Sequence, residues 1–416
     1  MSVPFNSRIV ITGIGVVSPN GVGRAAFDEN CRRGISGIKR IEHFDTSTIK
    51  SRYVGIVTDF DPLQHMDAAD VRRVPRMIPF AVAAAREAMA QAKLAPAEDD
   101  VAARRGIGVS LGSGGGGLEF VEEQYRRHFS GGKRSPFAIT AGTHGNLSSE
   151  LSIQLKIRGP SHVVSTGCAS SSDAIGHAAM LIRSGKADLM LTGGADAPIA
   201  PGILSGFEMM GVISTREHDN PAHASRPFNR DRDGFILGEG AWMFVVESLE
   251  HALARGVTPL AEIAGYGSTC DAYHRVQIAP DLAECVRAID EALQEAGTPP
   301  ADVDYINLHG TGTQLNDRLE TAALRRVFGD RATSVPASAT KSLIGHPQGA
   351  GGAAGIAATV LMMQSGQLHP TINLTVADPD CDLDYVPQTR PHRIDVAVCN
   401  CIAFGSKNSA IVLKRV

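Results

Sequence analysis

Short apolar runs alternate with longer stretches of helical spacing along most of the chain. The runs that we predict as strands are residues 8–17, 107–114, 161–169, 187–195, 241–249, 304–312, 394–402 and 408–415. The segments that we predict as helices are residues 25–34, 78–94, 170–187, 281–297 and 349–366. Several runs are apolar throughout, which is typical of strands covered by helices on both faces. The alternation therefore predicts an α/β fold.

Two segments of the chain have the same order of predicted elements, which indicates an internal duplication. A long amphipathic helix, followed by a strand that ends in a Gly-rich turn, occurs at residues 79–117 and again at 282–313. The two segments share little identity, so the likeness is architectural. We place the changeover near Arg255, which gives an N-terminal half, 1–255, and a C-terminal half, 256–416. No low-complexity linker separates them, and we expect the halves to pack as one body.

Charge and cysteine content exclude several classes of protein. A net charge of −4 over 416 residues gives no field that would attract nucleic acid or anionic lipid. The seven cysteines lack paired spacing, which argues against disulfides or structural zinc and favours a reducing cytoplasm. We expect no secretion signal. Residues 342–377 carry no formal charge, but Gly, Gln, His and Pro interrupt them, which predicts a buried helix and no membrane span.

Cys168 lies between a predicted strand and a predicted amphipathic helix, in GPSHVVSTGCASSSD. A sharp turn at a helix N-terminus would place the thiol near unsatisfied backbone N–H groups, which favour the nucleophilic thiolate. For a lone cysteine, the alternative is an inert buried side chain. We assign that inert role to Cys31, Cys285, Cys399 and Cys401.

Two histidines downstream strengthen the catalytic interpretation of Cys168. His309 ends a predicted strand in DYINLHGTGT, and His346 lies in a turn, SLIGHPQGAGG, directly before a helix of small residues. Catalytic groups of α/β proteins gather at such strand and turn ends. A lone histidine in either place would more often be structural, which is the role we assign to His65, His128 and His251.

The Gly-rich loop LGSGGGG, residues 111–117, suggests a nucleotide site at first sight. It lacks GxGxxG spacing and a following acidic ribose ligand, and GGKRS does not have Ser or Thr directly after GK. We therefore reject both nucleotide-binding motifs.

Several motifs together resemble a known family, the β-ketoacyl-acyl carrier protein synthases of the thiolase superfamily. They are the cysteine segment, HGTGT followed by Asp317 and Glu320, TKS followed by GH, SRPFNRDRDGFILGEGA, and AFGS near the end. The resemblance covers essentially the whole chain. It is closer to the elongating branch, which pairs cysteine with two histidines, than to the initiating branch, which pairs it with histidine and asparagine.

The resemblance implies a five-layered αβαβα fold with two similar halves, usually a homodimer, although a heterodimer is possible. It also implies a decarboxylative Claisen condensation. Cys168 would accept an acyl chain from the phosphopantetheine arm of an acyl carrier protein, and malonyl carrier protein would lose carbon dioxide to give an enolate. Neutral His309 and His346 would donate N–H bonds to the enolate oxygen, and the backbone N–H groups of Cys168 and Phe404 would stabilise the tetrahedral oxyanion. No metal or other cofactor is implied.

Other site residues follow from the same resemblance. Lys341 would belong to a hydrogen-bonded network with Glu320, and Thr311 and Thr313 would bind the pantetheine arm, although Thr beside Gly also makes a good turn. The cluster Arg72, Arg73 and Arg76 would dock an acidic carrier protein, and the alternative is a solvated charged face.

The chain departs from the family pattern around the substrate. Gly115 stands where a bulky aliphatic residue commonly gates the acyl tunnel, which leaves more room. The terminal gate loop, commonly GFGG followed by Thr-Asn, is AFGSKN here; it keeps Gly405 but has two fewer glycines. Val276 and Gln277 replace a Thr-Ser pair. These changes favour a specialised acyl chain, such as a polyketide or polyene, beside fatty acyl elongation.

Two alternatives belong to other functional classes. A thiolase-like enzyme acting on coenzyme A thioesters would have a second catalytic cysteine near the C-terminal gate, where this chain has AFGS. A non-condensing partner subunit, like a chain-length factor, would typically lack the nucleophile, whereas Cys168 is present.

Overall fold

The strands form one large mixed sheet and two small ones. A computed structural model of the protein describes residues 7–97 and 99–416. The strands are β1 Ile9–Ser18, β2 Gly21–Val22, β3 Ile38–Arg40, β4 Tyr53–Gly55, β5 Ile107–Gly112, β6 Ser161–Val164, β7 Leu189–Asp196, β8 Gly240–Ser248, β9 Ala261–Cys270, β10 Tyr305–Asn307, β11 Ala337–Ser338, β12 Gln367–Leu368, β13 Arg390–Pro391, β14 Val396–Ala403 and β15 Lys407–Lys414.

The α-helices cover both faces of the large sheet, and some of them lie between the two sets of strands that make up this sheet. They are α1 Arg24–Arg32, α2 Ala68–Val71, α3 Met77–Gln91, α4 Val101–Gly106, α5 Leu118–Phe129, α6 Ala138–Gly142, α7 Asn146–Leu155, α8 Ser170–Arg183, α9 Pro201–Met209, α10 Leu249–Ala254, α11 Ala283–Glu295, α12 Gln314–Phe328, α13 Lys341–Ile344 and α14 Gly351–Ser365.

Two sets of five strands repeat the same topology. The large sheet runs β6-β5-β7-β8-β1 and continues through β9-β15-β14-β10-β11. Within each set the first three strands from the outer edge are parallel, and the remaining two pairings are antiparallel. Numbered along the chain, both sets have the order 3-2-4-5-1, so the fold consists of two duplicated halves.

The helices follow the same repeat and give five layers. In each half one helix connects the first and second strands (α3 or α11), one connects the second and third (α7 or α12), and one precedes the fourth (α8 or α14). Helices α3 and α11 pack on the outer faces, whereas α8 and α14 contact each other in the middle. Helix α14 is buried along nearly its whole length, which agrees with the uncharged sequence around it. The predicted αβαβα thiolase-like fold is confirmed.

A pair of glycines in the first strand of each half lets the outer helix approach closely. A Cβ on Gly13 or Gly15 would lie within 2.0 Å of a carbonyl oxygen of α3. A Cβ on Gly265 or Gly267 would lie 2.0 Å from a carbonyl oxygen of α11. Since no side chain fits at such distances, these glycines fix the spacing of the outer layers.

Every predicted strand and helix is present, most with small shifts at their ends. The predicted strands 161–169 and 304–312 are too long, since β6 ends at Val164 and β10 ends at Asn307. The sequence analysis missed β9, the short strands β2, β3, β4, β11, β12 and β13, and several helices, among them α5, α7, α9 and α12. No helix within residues 7–97 and 99–416 combines the length and the hydropathy needed to cross a bilayer.

Candidate active site

Cys168 lies on the turn that was predicted for it. Strand β6 ends at Val164, Gly167 adopts a left-handed φ of 64°, and α8 begins at Ser170. A short 3-10 turn, Gly167–Ala169, carries the cysteine between them. Its side chain is buried, with 3% accessibility. The strand-turn-helix context therefore presents the thiol at the start of a central helix.

The two predicted histidines converge on this thiol. The Nε2 atom of His346 lies 3.2 Å from the Sγ atom of Cys168. The rings of His309 and His346 are 5.5 Å apart, edge to face. One ligand-type atom from each of the three side chains fits within 4.8 Å of the others. Residues far apart in the chain thus form one compact Cys-His-His site.

Both imidazoles are neutral in this site. Burial lowers the pKa of His309 and of His346 well below the usual value, and the Lys341 ammonium lowers each further. A neutral ring can donate one N–H bond without carrying a charge. The predicted pair of neutral donors is therefore consistent with the electrostatics of the cavity.

The resting state of Cys168 differs from the expectation. Burial raises the pKa of the thiol to about 11, although Lys341 and the backbone N–H groups of Phe404 and Cys168 act in the opposite direction. The electrostatics of the site therefore oppose the expected thiolate, because desolvation outweighs the N–H groups. Nε2 of His346 lies where it can accept the thiol proton.

Lys341 and Glu320 hold His309 from two sides. The Nζ atom of Lys341 donates to the His309 carbonyl oxygen at 2.6 Å and lies 3.5 Å from Nδ1 of the ring. The carboxylate of Glu320 accepts from the backbone N–H groups of His309 and Gly310 at 2.7 and 2.8 Å. The network implied by the resemblance therefore runs through the His309 backbone. The hydrogen bonds of the described residues include none that joins Lys341 to Glu320 directly.

The surroundings of His309 also assign its tautomer. A lysine ammonium has only donors, so Nδ1 of His309 acts as an acceptor and the ring proton belongs on Nε2. That N–H is then free to donate to a ligand. The thiol of Cys401 also lies 3.5 Å from Nδ1 and donates to the carbonyl oxygen of Cys168 at 3.0 Å. Cys401, predicted as an inert core residue, is thus a direct neighbour of the site.

A cavity of about 310 Å³ opens onto the catalytic side chains. Its walls include six of the predicted residues: Cys168, His309, Thr311, Thr313, His346 and Phe404. The hydroxyls of Thr311 and Thr313 are 3.0 Å apart. The sequence analysis missed most of the remaining wall, which is formed by residues 210–212, 233–235, 276–278, 314–316 and 402–403.

Four other residues that were predicted for catalysis or substrate binding do not line this cavity. Lys341 and Glu320 are buried behind His309, and Glu320 is better described as a positioning residue than as a substrate-binding one. Gly115 donates its N–H to the buried Asp196 at 2.9 Å, and a Cβ on it would lie 3.2 Å from Pro198. Gly405, with φ of 82°, borders a separate surface pocket.

The three arginines of the basic cluster are all exposed, and two of them pair with carboxylates. Arg73 lies 3.4 Å from Asp70. Arg76 binds the carboxylate of Glu239 through two nitrogens at 2.9 Å and donates to the Val57 carbonyl oxygen at 2.7 Å. Although Glu239 is fully buried, the Arg76 side chain is 44% accessible. All three arginines therefore remain candidates for carrier protein docking.

The stretch SRPFNRDRDGFILGEGA, which the sequence analysis used only as a motif, supports the site. The buried side chain of Arg232 contacts Asp317 at 3.2 Å and Asp378 at 2.6 Å. Asp317 accepts from the backbone N–H of Gly312 at 3.2 Å, which fixes the HGTGT turn after His309. The ring of Phe235 packs edge-on against His346, with centroids 5.2 Å apart.

The fold and the site together define a thiolase-like condensing enzyme. The family models described as "Beta-ketoacyl synthase, N-terminal domain" and "Beta-ketoacyl synthase, C-terminal domain" match residues 6–252 and 260–375. The chain is 40% identical over 411 residues to "3-oxoacyl-[acyl-carrier-protein] synthase 2" of Synechocystis sp., covering 98% of both chains. This protein belongs to the β-ketoacyl synthase family.

Solved structures give the same relationship. A chain from a structure described as a type II polyketide synthase acyl-carrier protein in complex with its ketosynthase has a TM-score of 0.89 at 34% identity, with 99% of both chains covered. The ishigamide ketosynthase/chain length factor structure has a TM-score of 0.90 at 33% identity, again with 99% of both chains covered. The family resemblance drawn from the motifs is confirmed.

Proposed function

We propose that this enzyme extends a Cys168-bound acyl chain by condensation with malonyl-acyl carrier protein. The observation that carries the proposal is the convergence in one cavity of the Cys168 thiol, His346 Nε2 at 3.2 Å and the His309 ring. The product is a β-ketoacyl-acyl carrier protein, in fatty acid biosynthesis or in a specialised polyketide or polyene pathway.

The first half-reaction loads the acyl chain. As Cys168 Sγ attacks the thioester carbon, its proton passes to Nε2 of His346, which lies 3.2 Å away. The backbone N–H groups of Cys168 and Phe404, which both favour negative charge at the sulfur, lie where they can stabilise the oxyanion. The new thioester bond to Cys168 replaces the old one, and His346 returns the proton to the departing pantetheine thiolate.

The second half-reaction forms the carbon-carbon bond. Loss of carbon dioxide from a malonyl thioester leaves an enolate, whose oxygen accepts N–H bonds from His309 and His346. His346 can carry its ring proton on Nε2 at this stage, because the acylated Cys168 no longer offers that atom a thiol proton. Both rings must be neutral and buried for this role, as they are here. The enolate carbon attacks the acyl thioester, the Cys168 thiolate departs, and a proton from solvent restores the thiol.

The long arm of the substrate enters between loops of both halves, which together line the cavity. Thr311 and Thr313 line the cavity beside His309, and their hydroxyls can hydrogen-bond the amides of a pantetheine arm. Thr313 also accepts from the backbone N–H of Asn316 at 3.3 Å, so it caps α12 as well. Gly115 and Gly405 remain proposed determinants of the acyl chain through the loops that carry them, since neither lines the cavity.

Carrier protein docking is proposed at Arg72, Arg73 and Arg76. All three are exposed, and Arg73 lies over the ring of Phe137 at 5.4 Å, which holds its charge in place. A carrier protein surface with acidic side chains would complement them. One of the solved neighbours is itself a ketosynthase in complex with an acyl-carrier protein.

Reversing the charge at Arg73 is expected to weaken carrier binding. Arg73→Glu should raise KM for malonyl carrier protein by about tenfold with little change in kcat, because an attraction becomes a repulsion outside the cavity. Steady-state kinetics at two salt concentrations would measure it, and the difference from wild type should shrink at high salt. Arg105→Glu, at another exposed arginine, is the control. A changed kcat with an unchanged KM would contradict the docking site.

A dimer is proposed as the working form. Strand β6 is an exposed outer edge of the large sheet, and Phe129 and Ile139 on nearby segments are 82% and 77% accessible. An exposed edge strand with apolar neighbours favours pairing with a second chain. A second copy is the expected partner; a heterodimer is the alternative, since a solved neighbour is described as a ketosynthase/chain length factor.

Two further expectations remain proposals. All seven cysteines are free, which supports a reducing cytoplasm. The changeover near Arg255, between halves 1–255 and 256–416, is supported by the repeat, because the first set of strands ends at Ser248 and the second begins at Ala261.

Intact-protein mass spectrometry tests the proposed function. The enzyme is incubated with carrier proteins that bear a panel of acyl chains, and then with malonyl carrier protein. A covalent acyl adduct that is discharged as an elongated β-keto product is expected. If none of the acyl chains forms an adduct, that result would favour the non-condensing partner role.

A further inference from the structure

A buried carboxylate holds the turn that carries Cys168. Asp173 lies in the first turn of α8, where a negative charge is favourable, and its side chain is buried, with 5% accessibility. The Oδ2 atom of Asp173 accepts from the hydroxyl of Thr166 at 2.5 Å. Since Thr166 lies two residues before the nucleophile, Asp173 reaches back past Cys168 and fixes the backbone on its other side.

The same carboxylate also binds the other half of the protein. The Oδ1 atom of Asp173 accepts from the hydroxyl of Tyr266 at 2.9 Å, and Tyr266 lies on β9. A Cβ on Gly176, three residues further along α8, would lie 2.5 Å from the Tyr266 ring, so the helix has a glycine where the ring crosses it. Burial, followed by the Asp173 carboxylate, raises the pKa of Tyr266. The tyrosine therefore keeps the proton that it donates.

The position of Cys168 depends on such contacts because a glycine precedes it. Gly167 has a left-handed φ, and glycine can adopt many other backbone conformations as well. Within the turn, the backbone N–H of Thr166 donates to the hydroxyl of Ser170 at 2.9 Å. The Asp173 carboxylate adds a connection from this turn to a strand of the other half.

We propose that Asp173 is a positioning residue that holds residues 166–168 against Tyr266 and thereby keeps the Cys168 thiol within reach of His346. The proposal rests on the proposed function, because it assigns the support of the same nucleophile. The contact that it protects is the 3.2 Å distance from Cys168 Sγ to His346 Nε2.

Asp173 acts on the thiol through the backbone of the turn. Burial raises the pKa of Cys168 most, and the charges that shift it are those of Lys341 and Asp196. A hydrogen bond to a charged group changes an equilibrium constant by roughly ten- to hundredfold. Misplacement of reacting groups by about 1 Å slows a reaction by about 10²-fold. We therefore expect the loss of either hydroxyl to slow the reactions of Cys168 by about tenfold.

Two variants of nearly unchanged shape remove one hydrogen bond each. Thr166→Val and Tyr266→Phe should each react with iodoacetamide at Cys168 about tenfold more slowly than wild type at neutral pH, because the thiol loses its proton acceptor. The difference should shrink as the pH rises toward the thiol pKa of about 11, since the thiolate then forms without His346. Peptide mapping counts the exposed Cys270 separately.

Substitution of the carboxylate itself gives a graded series. Asp173→Ala loses both hydrogen bonds and should slow labelling of Cys168 by about a hundredfold. Asp173→Asn should lie between Asp173→Ala and wild type, because its amide oxygen can still accept one of the two bonds. If Asp173→Ala does not fold, the Thr166 and Tyr266 variants still decide the proposal.

Tyr385→Phe is the matched control for Tyr266→Phe. Tyr385 is also buried, and its hydroxyl lies 2.7 Å from that of Thr321, outside the catalytic cavity. Both variants lose one tyrosine hydroxyl that makes a hydrogen bond. Thermal unfolding should show a similar loss of stability for the two, whereas Tyr385→Phe should label Cys168 at the wild-type rate.

Three outcomes would overturn the proposal. Wild-type labelling in either Thr166→Val or Tyr266→Phe would show that the carboxylate does not place the thiol. Equal slowing in Tyr385→Phe would assign the effect to stability. A difference from wild type that stays constant as the pH rises would assign it to access to the cavity. None of these readouts needs a carrier protein or a condensation reaction, so failure of the positioning role is distinguishable from failure of the proposed function.

Discussion

Cys168→Ala is expected to abolish the acyl-enzyme and to lower the condensation rate by about 10⁴-fold or more. Removal of the nucleophile from a set of catalytic groups that act together lowers the rate by this much, because the remaining groups have no acyl-enzyme thioester to act on. Intact mass after incubation with acyl carrier protein reads the adduct, and product formation from malonyl carrier protein reads the rate. The fold should persist, since alanine occupies less volume than cysteine in the same buried position.

Cys399→Ala is the matched control for that variant. Cys399 is also buried, on strand β14, where its thiol contacts the hydroxyl of Thr359 at 3.4 Å, outside the cavity. It should form the adduct and turn over like wild type. Condensation by Cys168→Ala at more than about 1% of the wild-type rate would remove Cys168 from the nucleophile role.

His309→Ala is expected to separate the two half-reactions. It should lower condensation by about 10²- to 10³-fold, the usual cost of one oxyanion donor, while acylation of Cys168 proceeds at a near wild-type rate. The reason is geometric: the thiol hydrogen bond is made by His346 Nε2, whereas His309 turns its Nδ1 atom toward Lys341. His346→Ala should therefore slow both steps.

Two assays measure the two steps separately. Mass spectrometry follows acylation in a single turnover, and product formation reports condensation. The exposed His223, at the surface of the same half as Cys168, provides the control variant His223→Ala, which should leave both steps unchanged. Equal losses in acylation and condensation for His309→Ala would contradict the division of roles between the two histidines.

Local pattern was sufficient for most of the architecture. Strands such as β1 and β8 are buried at every position, so their apolar runs stand out in the sequence. Strand β9 was missed because Gly265, Gly267 and several polar positions interrupt its run. The requirement for those glycines comes from α11, a helix that follows the strand in the chain. The two glycines are therefore required by packing against a separate helix, and the sequence of the strand alone does not reveal this requirement.

The same distinction between local sequence pattern and long-range packing applies to the catalytic site. Cys168, His309 and His346 were predictable because each ends a recognisable element and each carries chemistry of its own. The pairing of Arg76 with Glu239 was not, since the partners are 163 residues apart and only packing brings them together. Cys401 gave no signal either, because its position in an apolar strand looks like any core position. Its contact with His309 depends on where a neighbouring strand ends.

The repeat places the catalytic groups at matching positions of the two halves. Cys168 lies between the third strand of its half and the central helix α8, and His346 lies between the third strand of its half and the central helix α14. In a symmetric pair of separate chains, both positions would have to carry the same residue. Joining the two units in one polypeptide removes that constraint, so one loop can specialise as nucleophile and its counterpart as proton acceptor. The division of labour in this catalytic centre is thus a property that covalent linkage of two like units makes possible.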